Sequence, residues 1–301
     1  MANKPEKRNT PRKAETTFRV AESAALMEFL LKQMPHKNRD NIKTLLRDRQ
    51  VLVDDEIISQ FNHPLRPGQQ VTISRFKIPK PKTYRGITVV YEDRDLIVID
   101  KHAGVLSVAT DDKETFTAYS MLRDHVKTKN PGGKIFVVHR LDRETSGLMM
   151  FAKSAKVQKM LQEAWYSVII ERSYAALTEG TVKQPEGVIS SWLRENKAMM
   201  VYSSQEPGDG KPAVTRYKTL KTNDRFSLLK VTLESGRKNQ IRVHLSDIGH
   251  CIVGDKKYGS TQNPIGRVGL HAMILAFRHP VTGKEMRFET PVPRKFLSCF
   301  K

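Results

Sequence analysis

Apolar positions along the chain follow two rhythms. Between residues 24 and 47 they recur at helical spacing, as Leu26, Phe29, Leu30 and Met34 in AALMEFLLKQM and as Ile42, Leu45 and Leu46 in RDNIKTLLRDRQ. Spacings of three and four put each set on one stripe, which predicts two amphipathic helices. From residue 51 the apolar residues gather in short runs. VLVDDEII and QQVTIS read as strands, with Pro67-Gly68 marking a turn between them. ITVVYEDRDLIVID predicts two more strands, joined by the polar turn Glu92 to Asp95. IFVV and LMMF are runs that suit a covered sheet, and between them stands HRLDRETSG, four ionisable residues and an imidazole. Ser154 can cap a helix whose apolar face is Val157, Met160, Leu161, Ala164 and Trp165.

Further along, SYAALTEG, AVTRYKTL and FSLLKVTLES read as strands, NQIRVHLSDIG as a helix, and GLHAMILAF and MRFET as strands. SSQEPGDGKPA reads as a hairpin connection, and its GDGK lacks the spacing of a phosphate-binding loop. Strands outnumber helices and several are adjacent, which favours an α+β fold with a mixed, largely antiparallel sheet. The expected organisation is a disordered basic tail over 1–18, a small helix–helix–strand domain over 19–75, a linker over 76–86 and a large domain over 87–301. The linker expectation comes from RFKIPKPKTYRG, whose prolines and like charges stiffen and extend a chain.

Composition changes this picture mainly through charge. Lys+Arg 52 against Asp+Glu 32 leaves a formal +20, an excess that draws polyanions and gives salt-dependent affinity for nucleic acid. Arg39, Lys43 and Arg47 recur every four residues beside the apolar stripe of the second helix, and Lys80 and Lys82 lie in the linker. All five are candidate RNA contacts. The two cysteines, Cys251 and Cys299, form no spaced cluster and read as reduced thiols of a cytoplasmic protein. The nine histidines make no metal-ligand pair, so no metal is expected. No apolar run approaches the ~18–20 residues of a membrane span, so no membrane partner is expected either.

The chemistry concentrates in HRLDRETSG. Asp142 sits between Arg140 and Arg143, and neighbouring cations keep a carboxylate charged. Thr145, Ser146 and Gly147 supply tight-turn chemistry that can fix the loop against the next strand. A charged carboxylate there could attack a sugar, add to a base or remove a sugar proton, and it could equally be a loop acid making local hydrogen bonds.

HRLDRETSGL resembles the signature of the RluA-type pseudouridine synthases, in which His-Arg-Leu-Asp is followed by two variable residues, Thr, Ser or Thr, Gly and Leu. DKHAGVLSV, ERSYAALTEG, GKPAVTRYKTL, ESGRKNQIRVHLSDIGHCIVGDKKYG, GLHAMILAFRHPVTG and FETPVPRKF resemble the family's other blocks, in its order. Residues 19–75 are similar to the S-four-like RNA-binding module. The resemblance implies a pseudouridine synthase sheet and isomerisation of uridine to pseudouridine in RNA by a monomer without a cofactor. Ribosomal RNA is the implied target, with transfer RNA the alternative.

Carried over residue by residue, it implies that Asp142 is the catalytic aspartate and Tyr174 stacks on the target uracil. Arg242 would pair with Asp142, and Arg140 would fill the space the flipped uridine leaves. His139, at the head of the signature, falls with the substrate-binding residues. The chain departs from the pattern at His102 and Cys251, where the family usually has Pro, and at Lys238-Asn239, where it usually has Thr-His. Two other readings stay open at this stage. One is a non-catalytic RNA-binding ribosome-assembly factor that retains the fold. The other is a glycosidase or base-excision enzyme using Asp142 as nucleophile, although a partner carboxylate is lacking apart from Glu144.

Overall fold

The computed structural model describes residues 15–54, 56–77, 82–109 and 116–301. The chain divides between Pro81 and Lys82 into two compact units.

In the first unit β1 (Glu15–Arg19) and β2 (Ala24–Ala25) precede α1 (Leu26–Gln33) and α2 (Arg39–Arg47), followed by β3 (Val51–Val53), β4 (Glu56–Ile57), β5 (Pro64–Leu65) and β6 (Gln70–Ser74). A four-stranded antiparallel sheet runs β1-β6-β3-β4, and β2 pairs with β5. Leu26, Phe29, Leu30, Met34, Ile42 and Leu46 are buried with Val51, Val53, Val71 and Ile73 in one small core. Asn38 caps α2, its side chain accepting from the Asn41 N–H while Asn41 reciprocates.

The tail expected over 1–18 overlaps this sheet. Residues 15–18 belong to β1, in a register that sets Phe18 opposite Val71, and Phe18 packs against the core. One apolar side chain with an open strand edge to join is enough to order a polar segment.

The second unit opens with β7 (Lys82–Tyr84), β8 (Ile87–Glu92), β9 (Leu96–Lys101), α3 (Ala118–Lys129), β10 (Phe136–Val137) and β11 (Ser146–Ala152). Then come α4 (Ala155–Glu163), α5 (Trp165–Val168), β12 (Ile169–Glu179), β13 (Glu186–Glu195), β14 (Val201–Ser204), β15 (Lys211–Thr222) and β16 (Phe226–Leu233). It closes with α6 (Gln240–Asp247), β17 (Leu270–Arg278), β18 (Glu285–Glu289) and α7 (Arg294–Leu297). Lys82–Tyr84, expected as linker, pairs with β8, and the Tyr84 ring packs edge-on against His125 of α3. That aromatic contact holds in the sheet a segment whose charges alone favour extension. SSQEPGDGKPA does not close a hairpin: β14 and β15, the strands it joins, both pair with β13.

The unit is α+β, built on one mixed, largely antiparallel sheet with the order β14-β13-β15-β16-β12-β17-β11-β9-β8-β7. β9 shows why its runs are continuously apolar. Ile97 and Ile99 face a core with Leu122 and Val126 of α3 and Ile241 and Leu245 of α6, while Leu96 and Val98 face Val157 and Leu161 of α4. Both faces are covered, so alternation disappears. Ser154 caps α4 by accepting the Val157 N–H. The apolar face expected to reach Trp165 is interrupted at Ala164, where α4 ends and the short α5 begins.

The sheet forks at β17. β11 runs parallel to it for only Ser146↔His271 and Gly147↔Ala272, and β18 then pairs with β17 over Ile274–Arg278. At the fork the backbones nearly touch. A Cβ on Gly147 would lie 2.1 Å from the Ala272 carbonyl oxygen, and φ there is +113°, so only glycine fits. The loop that enters β11 at this fork is HRLDRETSG.

Candidate active site

Each carbonyl from Leu141 to Glu144 has a donor. Ser107 Oγ donates to the Leu141 oxygen at 2.7 Å and accepts the Leu141 N–H at 3.0 Å. The Thr145 N–H closes the turn on the Asp142 oxygen at 3.2 Å. The Arg143 oxygen accepts from the Gly104 N–H at 2.8 Å and from Lys101 Nζ at 3.1 Å. Arg267 Nη2 donates to the Glu144 oxygen at 3.4 Å and to Ser146 Oγ at 2.8 Å. Ser146 also meets His271, which is bonded in turn to Thr290.

Lys101 is fully buried at the end of β9 and donates as well to the carbonyls of Val105 and His102. Burial, reinforced by the Arg267 charge, pulls its ammonium down to about 7. A loop braced at four successive carbonyls holds its side chains in fixed directions, as a pre-organised site requires.

Asp142 projects from this loop with its side chain 34% exposed. Arg242 Nη1 donates to Asp142 Oδ2 at 3.3 Å. The expected pair is therefore present, but it is not the strongest contact Arg242 makes. Nε and Nη2 form a two-point bridge to Asp255 at 2.6 and 2.7 Å, and the Asp255 side chain is 1% exposed. Nη1 also reaches Asn239 Oδ1 at 3.0 Å, and the guanidinium lies 4.9 Å from the centre of the Tyr258 ring. Burial on its own would lower the Arg242 pKa, but Asp255 first, then Asp142, hold it above the ordinary value.

Asn239 sits in the left-handed region at φ +55°, where asparagine is among the better-tolerated residues, and donates to the Tyr258 hydroxyl at 2.8 Å. Sequence reasoning missed Asp255, Tyr258 and Lys101, and met Asn239 only as a departure. The signal for Asp255 was faint: one acid followed by two lysines reads as a solvated turn.

Asp142, Arg242, Tyr174 and Arg140 line one cavity of about 510 Å³. Tyr174 comes from β12, beside a bulge against β17, and burial pushes its phenol up. Leu233, Ile241 and Leu270 supply apolar wall, while Arg237 and Lys238 add positive charge. Met199, exposed and in the left-handed region at φ +57°, stands on the lining as well. Arg140 is exposed.

His139 does not line this cavity. Its Nε2 accepts the Met150 N–H at 3.1 Å, its ring packs 5.2 Å from Trp165, and burial pulls the imidazole down to about 3. It is a neutral brace between the loop and β11, and among the described residues no imidazole lines the cavity with Asp142.

Arg39, Lys43 and Arg47 project from the exposed side of α2 in the first unit. Lys80 and the Lys82 side chain lie outside the described residues. Among the described residues Asp93, Asp95 and His279 bring ligand atoms within 4.8 Å of one another. Two of the three are engaged within the fold: Asp93 Oδ1 accepts the Asp95 and Leu96 N–H groups, and His279 Nδ1 accepts those of Val281 and Thr282. No helix among the described residues is long and apolar enough to cross a membrane.

A family model described as RNA pseudouridylate synthase matches residues 95–247. The chain is similar to an RNA pseudouridine synthase of Bacillus subtilis, YjbO, with 33% identity over 78% of this chain and 81% of the relative. It is also similar to ribosomal large subunit pseudouridine synthase D of Neisseria meningitidis, with 30% identity over 88% of this chain and 74% of the relative. The solved structure of human RNA pseudouridylate synthase domain containing 4 overlays with a TM-score of 0.57 at 23% identity, covering 69% of this chain and 90% of the human one. That likeness concerns the fold.

Proposed function

The chain belongs to the RNA pseudouridylate synthase family, and on that premise we propose that Asp142 is the carboxylate with which it isomerises uridine to pseudouridine in ribosomal RNA. The reaction breaks the N-glycosidic bond, turns the uracil, and joins the same ring to the sugar through carbon. Substrate and product are isomers, so no oxidant, reductant or hydrolytic water enters the balance. What the protein must supply is a fixed carboxylate, a pocket that admits a flat ring, and a means of holding the nucleotide out of its stack.

The observation that carries this reading is the braced loop. Four tethered carbonyls aim Asp142 into a cavity of about 510 Å³ with Tyr174 as a planar wall. Arg242, fixed from behind by Asp255, Asn239 and Tyr258, gives Asp142 a cationic partner that cannot swing away. Nucleophilic attack and proton removal both require a carboxylate held in place in this way. Arg140, exposed on the cavity lining, enters the space the extruded uridine leaves.

The Neisseria relative's name supports ribosomal RNA as the substrate. The first unit serves as an RNA-binding module of the S-four-like kind, with Arg39, Lys43 and Arg47 on phosphates, and Lys80 and Lys82 are further RNA contacts. The formal +20 supports that assignment.

Mapping pseudouridines in total RNA from cells with and without the gene tests the reading. Loss at one or a few ribosomal positions is expected, restored by the wild type and not by Asp142→Asn. Loss confined to transfer RNA would overturn the ribosomal assignment, and an unchanged map would overturn the function.

A further inference from the structure

Beside the cavity that holds Asp142 lies a second hollow of about 370 Å³, walled by His139, Arg140, Gln162, Trp165, Tyr166 and Arg172. Arg140 and Gly236 line both. We propose that this second hollow is a subsite for one unstacked nucleotide neighbouring the target uridine. Its base lies against Tyr166 and Trp165, and its phosphate or a base carbonyl is held by Arg172 and Arg140. The proposal rests on the reading that the larger cavity takes the uridine.

Four features point to a nucleotide. Among the described residues the lining carries two guanidinium groups and no carboxylate, which suits an anion joined to a flat ring. Tyr166 is 64% exposed in the four-residue α5 and is free to stack. Arg172 is placed and incompletely satisfied. Its Nη2 donates to the Ser235 carbonyl at 3.1 Å and its guanidinium lies 5.4 Å from the Trp165 ring centre, but its buried Nε has no acceptor among the described residues. A buried donor without a partner gains from a ligand that lets the side chain turn onto an acceptor.

Gly236 is the last feature. A Cβ there would lie 2.7 Å from Arg172 Nη1, so the bare backbone is what gives the guanidinium its place. His139, neutral with Nε2 occupied, contributes a ring and no charge. Gln162 donates its amide N–H to the Val137 carbonyl at 3.3 Å, which turns the amide oxygen to the role of acceptor for a base amine. Once Arg140 takes the place of the extruded uridine, the bent backbone draws the next nucleotide out of its stack too. That base needs a surface, and the hollow on the far side of Arg140 provides one.

The chain has two tryptophans, so Trp192→Phe leaves Trp165 as a single reporter beside the subsite. The probe is an RNA hairpin carrying the uridine identified by mapping, with binding followed separately by anisotropy of a dye on its far end. Saturating hairpin is expected to quench Trp165 emission by half or more. Making one particular neighbouring nucleotide abasic is expected to abolish the quench, while the other abasic positions keep it. Tyr166→Ala is expected to raise KM about tenfold with kcat within twofold, and the same abasic substitution should add nothing further in that variant. Trp165 emission unchanged at saturation, or a wild-type KM for Tyr166→Ala, would overturn the subsite. Absence of wild-type turnover on the hairpin would instead count against the function, and the quench would still decide the subsite.

Discussion

Arg242 faces two carboxylates of very different burial, and this asymmetry separates stability from activity. Removing the guanidinium with Arg242→Ala leaves Asp255, 1% exposed, as a buried charge without its two-point partner. Breaking a buried pair in this way costs about 3–5 kcal/mol, a large share of the ~5–15 kcal/mol that typically stabilises a domain. Asp142→Ala removes only one bond of 3.3 Å from a side chain 34% exposed, and exposed pairs contribute roughly 0–1 kcal/mol. Both variants are expected to lose turnover, but only Arg242→Ala should lose several kcal/mol of stability.

Urea unfolding followed by tryptophan emission makes the comparison. Trp165 and Trp192 both lie in the second unit, so the signal reports that unit alone. In the Asp142→Ala/Arg242→Ala double variant the loss should match Arg242→Ala to within about 1 kcal/mol. Equal losses for the two single variants, or an unchanged midpoint for Arg242→Ala, would refute the assignment of Asp255 as the anchor.

Lys101→Met keeps the volume but removes the donors to the Val105, His102 and Arg143 carbonyls. It should lower kcat by roughly a hundredfold with little change in KM, because a small misplacement of a reacting group is enough to do so; steady-state kinetics on the mapped hairpin reads both. Glu92 is pushed up by burial, but hydrogen bonds from Lys129, His125 and Lys153 outweigh this and bring it down to about 2 from an ordinary 4.5. With the folded value the lower, its stabilisation is complete above pH 4.5 and lost as the pH falls toward 2. Glu92→Gln should flatten that acid limb in melts followed by tryptophan emission. Replacing Arg39, Lys43 and Arg47 together by alanine should reduce the slope of log affinity against log salt by roughly two to three units, measured by filter binding to the same RNA.

Much of this was legible because the informative patterns are local. The stripe Leu26, Phe29, Leu30, Met34 specifies α1 by periodicity alone, and β9 declares a strand covered on both faces through its unbroken apolar run. Other elements are disguised. β13, EGVISSWLRE, sets apolar and polar residues in pairs, so the alternation that marks a half-buried strand is missing, and its buried Ser191 is accounted for only by the bond to His244 of α6. α3 buries Leu122, His125 and Val126 under a polar sequence, and its histidine is satisfied by Glu92 from β8, a partner distant in the chain.

The site follows the same division. Asp142, Tyr174 and Arg242 sit inside recognisable blocks. Asp255, Asn239 and Lys101 stand in such blocks too, but they act through contacts that only folding creates, and their residue types in isolation resemble surface. His139 stands in the most specific block of all, yet its ring is spent on the Met150 N–H. A signature marks what a loop needs in order to form as well as what it does.

The central claim, that Asp142 performs the isomerisation, is tested most directly by tritium release from RNA labelled at carbon five of uridine. Forming the new carbon–carbon bond expels that hydrogen, so release counts turnovers. The wild type should release tritium in proportion to pseudouridine formed. Asp142→Asn should bind the same RNA, unfold at the same urea concentration and release none. Release by Asp142→Asn at a rate near the wild type would contradict the account.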